Sequence, residues 1–166
     1  MKVLNKHEYK LIHKNTAEVF LDDSYFFNKK LKWFPSDTME LFNKNFKKYP
    51  QNYSLNYYSK FPITYQLNDY GFRSYDSFNT NKYGNVYLGC SHTFGTGHSL
   101  ENTWSYKLNK EIGGVYFNFG IPGNGVDTSF RLIRNWYNRI NIKNVFHVIL
   151  RSNFILLRIT SYHLLS

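Results

Sequence analysis

The chain has one cysteine, one alanine, four prolines and only 11 acidic residues among its 166. A single thiol, Cys90, excludes an intramolecular disulfide and fits a reducing, cytoplasmic compartment. No apolar run approaches the roughly 20 residues of a membrane-crossing helix, so neither a transmembrane segment nor a membrane partner is expected. The start, Met-Lys-Val-Leu-Asn-Lys-His-Glu, breaks into charge too soon for a secretory signal. Internal repeats and low-complexity linkers are also missing. The shortage of acid leaves 21 Lys and Arg dominant and a net charge of +10. Such a balance raises nucleic-acid binding. Asn, Lys, Tyr, Phe and Ile are abundant, however, as AT-rich coding produces, and coding bias plus solubility is the preferred reading. What the chain does have is 42% hydrophobic and 20% aromatic residues. That suffices for one folded domain with a real core, and the length is too short for two comfortable ones.

Residues 1–80 and 81–166 read differently. The first part is an irregular, aromatic, basic extension expected to pack on the second. One helix is predicted after Pro35, capped by Ser36 or Asp37, with Met39, Leu41, Phe42 and Phe46 as a partial apolar stripe. Tyr53 to Tyr58 reads as a connector. Ile63–Leu67 alternates like a short strand before the turn chemistry of Asn68-Asp-Tyr-Gly71. The second part has rhythm. Val86–Leu88 is a strand ending at Gly89. Ser99 is placed as cap of a helix carrying Leu100, Trp104, Leu108 and Ile112, stopped by Gly113-Gly114. Val115–Phe119 is a second strand. Asp127 or Thr128 caps a second helix with Phe130, Ile133, Trp136, Tyr137 and Ile140 inward. Val145–Leu150 is a third strand. Short connections and right-handed crossovers make this βαβαβ unit an α/β fold with a parallel sheet.

Each strand runs into a polar or glycine-rich turn, and in a parallel sheet these turns fall on one edge. The first presents Ser91 within Gly89-Cys-Ser-His-Thr-Phe-Gly-Thr-Gly97, the second Gly123, the third Asn153. Ligands and nucleophiles in open α/β sheets lie at this edge. Acyl transfer through serine needs donors aimed at the developing oxyanion. The backbone N–H groups of Ser91 and Gly123 with the amide of Asn153 make such a set, and glycine lets the backbone approach substrate closely.

Gly89-Cys90-Ser91-His92-Thr93 resembles the nucleophile block of the SGNH (GDSL-type) hydrolases. Asn118-Phe-Gly-Ile-Pro-Gly123-Asn124 resembles their second block, and Arg151-Ser-Asn153-Phe154 falls where the third follows the third strand. Tyr65 to Ser74 resembles a segment found upstream of the first block. The resemblance covers about residues 63–153. It implies a three-layer α/β/α flavodoxin-like fold and a serine esterase or O-acetyl esterase acting on a small-molecule or carbohydrate ester, without metal or cofactor. Ser91 would be the nucleophile; Ser91, Gly123 and Asn153 would be the oxyanion donors.

The departures matter as much. Cys90 replaces the usual aspartate before the serine, and Arg151 and Phe154 replace glycine and aspartate in the third block. The family's Asp-x-x-His lies far beyond that block, so the C-terminal part of the fold is expected to be missing and the reading frame truncated or frameshifted. His163 has Thr160 where the aspartate belongs, and neither Arg158 nor Ser161 substitutes; it is not assigned as base. His92 is read as a wall residue of the turn, His98 as a satisfied loop histidine, and His147 as packed within a buried strand. Two other functions stay open: a non-catalytic remnant or binding module, and an anion cradle at Gly89–Gly97.

Overall fold

A computed structural model of the protein describes residues 28–33, 35, 38–151 and 154–158. The N-terminal part is more regular than its sequence suggests. Strand β1 (Lys30–Trp33) pairs antiparallel with β2 (Ile63–Gln66). Between them lie helices α1 (Met39–Lys48) and α2 (Tyr53–Lys60). Thr38, not Ser36 or Asp37, caps α1, its hydroxyl accepting the Leu41 N–H at 3.2 Å; those two residues lie outside the described ones. Met39 and Leu41 of the expected stripe are exposed, and Phe42 is buried. Tyr53–Lys60 is a helix and not a connector. The Asn52 side chain accepts the Leu55 N–H at 3.0 Å, which supplies the cap. Pro62 ends it, since the residue before a proline is driven from helical backbone, and Phe61 is at φ −123°, ψ 71°.

The second part forms a mixed α/β unit: β3 (Tyr83–Gly89), the one-turn helix α3 (Ser91–Phe94), α4 (Trp104–Ile112), β4 (Val115–Gly120), α5 (Val126–Trp136), β5 (Asn141–Arg151) and β6 (Phe154–Arg158). The sheet order is β4-β3-β5-β6. The first three strands are parallel, as expected. β6 is a departure, because it pairs antiparallel with β5. The outer edge of β5 is therefore covered by β6.

β3 is central and buried on both faces, which parallel strands require. Val86 and Leu88 join Phe117 and Phe119 of β4, Leu132 and Trp136 of α5, and Phe72 and Phe78 from before the sheet. The core thus draws on both sides of position 80. On the other face, Tyr87 meets the Trp104 ring edge-on at 5.6 Å, and Asn85 donates to Asn109 Oδ1 at 2.8 Å. The two crossover helices consequently contact opposite faces of the sheet.

Two helix starts differ from expectation. Thr103, not Ser99, caps α4, because residues 100–102 form a separate 3₁₀ turn. Gly125, not Asp127 or Thr128, precedes α5. Phe130 and Tyr137, expected inside, are exposed at 63% and 51%. The buried positions of α5 are Ser129, Leu132 and Trp136, with Ile133 packed beside them. The intervals of 3 and 4 residues are helical, and Ile133, Trp136 and Ile140 of the expected stripe do reach the core while Ser129 and Leu132 replace Phe130. Among the described residues no helix is long and apolar enough to cross a membrane.

Candidate functional site

Ser91 opens α3 directly at the end of β3. Gly89 makes the approach possible. Its φ is +147°, and a Cβ there would run into the Thr93 side chain and the Val148 carbonyl. The turn is closed by backbone: Cys90 C=O accepts the N–H groups of Thr93 and Phe94, both at 3.0 Å, and Ser91 C=O accepts those of Gly95 at 2.8 Å and Thr96 at 3.0 Å. Thr93, fully buried, donates its hydroxyl to Leu88 C=O at 3.2 Å and so ties α3 back to the strand. The Ser91 Oγ lies 3.9 Å from Cys90 Sγ.

The exit of the turn is held from outside the sheet. Arg73, 1% exposed, donates to Phe94 C=O at 2.8 Å, to Gly95 C=O at 2.6 Å and to His98 C=O. Its guanidinium lies over the rings of Tyr65 and Phe94, at 4.3 and 5.2 Å. The Tyr65 hydroxyl accepts the Gly97 N–H at 2.8 Å. Burial lowers the Arg73 pKa from the usual guanidinium value, against smaller opposing contributions from Tyr65, Tyr116, Tyr75 and Glu101. Beside it, Tyr75 donates to Glu101; burial first, then that hydrogen bond, pushes Tyr75 up to about 12.

Ser91 borders two clefts. One, about 340 Å³, runs along the α5 face and is lined by Ser91, Gly123, Ser129 and His147 among others. The structure therefore brings Ser91 and Gly123 to one hollow, as the spacing of the first two turns predicts. Gly123 has φ +77° and nothing within 4 Å of a notional Cβ, so glycine is required there by backbone conformation and the space beside it is open. The other cleft, about 480 Å³, lies on the α4 side and is lined by Ser91, His92, Thr96, His98 and Trp104 among others. His92 and His98 are exposed on its wall.

Comparison with family models, with curated proteins and with solved structures finds no match to this chain.

The third strand departs from the expected geometry. In register, His147 stands beside Leu88, before the end of β3, and β5 then continues to Arg151. The wall of the α5-side cleft at this level is His147, Val148 and Ile149 rather than a strand-end turn. Asn153 and His163 lie outside the described residues. His147 is half-buried, and burial lowers its pKa below the usual imidazole value. As expected it sits within a strand, but it is only half-buried and lines the α5-side cleft together with Ser91. Two features had no clear signal in the sequence. The bulge between Gly84 and Asn85 shifts the register that brings His147 level with Leu88. The Arg73 clamp joins residues 21 to 25 positions apart that no periodicity links.

Proposed function

We propose that the protein is an ester hydrolase of the SGNH type, in which Ser91 is the nucleophile and the N–H groups of Ser91 and Gly123 steady the oxyanion. The observation that carries this reading is the shared cleft: two residues from the ends of adjacent parallel strands line one hollow at the carboxyl edge of the sheet. Crossover helices on opposite faces and a central first strand of the parallel set support a three-layer flavodoxin-like architecture. Asn153 is retained as the third donor of the proposal. The substrate is a small-molecule or carbohydrate ester, the reaction needs no metal or cofactor, and the setting is cytoplasmic.

The step asked of the site is addition of Ser91 Oγ to the ester carbonyl, the negative charge passing to oxygen where backbone N–H groups meet it. A second reading, a binding module that keeps the fold without the chemistry, is favoured by one observation. Among the described residues, neither cleft bordering Ser91 is lined by a carboxylate. Turnover of p-nitrophenyl acetate by the full chain and by Ser91→Ala decides between them. The hydrolase loses its turnover to background in the variant, by about 10³-fold or more. Equal rates in the two proteins establish the binding module.

A further inference from the structure

We propose that His147 is the general base of the Ser91 reaction, forming a serine–histidine dyad with no carboxylate among the described residues that line its cleft; this rests on the hydrolase reading above. Three observations select it from the histidines near the serine. It lines the α5-side cleft together with Ser91 and Gly123, whereas His92 and His98 line the cleft on the opposite side. An ester carbonyl that reaches the Gly123 N–H must sit in the first of these, so the base has to act there. His147 is also carried by a strand. It pairs in register with Leu88, three residues before Ser91, and neighbouring strands are about 4.8 Å apart. The His147 side chain thus starts one strand spacing across from β3 and three residues back from Ser91, an axial offset of up to about 10 Å, and the base reaches the hydroxyl along the cleft they share. The parallel register also puts it on the face of Leu88 and Val145, the face on which α5 and the Gly123 turn close the cleft.

The chemical state fits. Desolvation favours the neutral imidazole, so a lone pair is available near neutral pH. The other titratable side chain lining this cleft among the described residues is Cys90; no lysine, arginine, aspartate or glutamate lines it. Among the described residues the cleft therefore offers the imidazole no carboxylate to fix its tautomer, and a dyad of this kind works below the rate of a full triad.

The steps balance with water as the second reactant. His147 takes the Ser91 hydroxyl proton as Oγ bonds to the carbonyl carbon, and the carbonyl π pair moves to oxygen. Collapse breaks the bond to the leaving oxygen, which receives the proton from the imidazolium and departs as alcohol. Water then adds to the acyl-serine, giving its proton to His147. The second collapse breaks the acyl–Oγ bond, returns that proton to Ser91 and releases the acid.

The test uses p-nitrophenyl acetate with the full chain, Ser91→Ala, His147→Gln, and His147→Ala with and without added imidazole, alongside thermal melting of each. The expected result is a fall in kcat of about 10²-fold or more in His147→Gln with KM little changed. Added imidazole restores turnover in His147→Ala above the rate that the same imidazole gives with Ser91→Ala. If the glutamine variant melts early, the imidazole comparison still reads the role. Retained Ser91-dependent turnover in His147→Gln overturns the assignment while leaving the hydrolase intact, and so does its loss in His92→Gln alone. No Ser91-dependent turnover in the unmodified chain overturns the hydrolase reading itself, and this assignment with it.

Discussion

The two ends of the Ser91 turn are held by different physics. Its entrance is fixed by backbone: the end of β3, the left-handed Gly89, and Thr93 bonded back to Leu88 C=O. Its exit is fixed by side chains from a remote segment, Arg73 on three carbonyls and Tyr65 on the Gly97 N–H. The entrance is built of neutral, local contacts that form whenever the sheet forms. The exit depends on a buried cation whose acceptors are carbonyls rather than a carboxylate. Residues 63–74 are therefore a structural part of the site.

Breaking the exit should cost most. Arg73→Leu removes the guanidinium donor from three carbonyls, of which Gly95 C=O keeps the His98 N–H, and should destabilise the fold by about 3–5 kcal/mol, read from urea denaturation. Arg73→Lys should recover only part of this, because a point charge cannot span three acceptors as a planar fork does. Full recovery by lysine would show that charge alone holds the exit. At the entrance, Gly89→Ala meets both the positive φ and the Thr93 side chain, and about 2–3 kcal/mol is expected from the same measurement. An alanine variant as stable as the parent would remove backbone strain as the entrance device. Tyr65→Phe removes one acceptor and leaves the Gly97 N–H to find water, for about 1–2 kcal/mol.

The smallest effect is one of pH. The folded pKa of His147 lies below its unfolded value near 6.5. Between the two values the unfolded chain binds more protons, so stability falls as pH drops through that window and levels off below the folded pKa. His147→Gln should remove this component. Denaturation midpoints taken between pH 8 and 5 should diverge for the two proteins on the acid side, and parallel curves would contradict the buried neutral state.

The sequence made some of this legible and concealed the rest for identifiable reasons. The strands of the parallel set stand out because Val86–Leu88, Val115–Phe119 and Val145–Leu150 are apolar runs bounded by glycine or polar turns. Their crossovers then dictate a parallel sheet. The meeting of Ser91 and Gly123 follows from that topology. Helix α2 is hidden because Tyr53–Lys60 buries a single residue, Leu55, and so carries no stripe. The face of His147 is hidden because Val145–Leu150 is apolar at nearly every other position on both faces, so alternation assigns neither. β6 is hidden because an apolar tail after Arg151 fits a helix or a strand equally, and only pairing decides. The Arg73 clamp lies beyond any local pattern. One charged residue beside Phe72 looks solvated until the carbonyls it serves are brought to it by folding.

Ser91 stands on a ridge with a hollow on either side. In the proposed reaction this separates traffic. An ester has two arms, and a serine with space on both sides can accept one arm in each. The freed alcohol can then depart from its own side while the acyl group stays attached on the other. Water can enter behind the departing alcohol without displacing the acyl group, and the alcohol leaves before the acid.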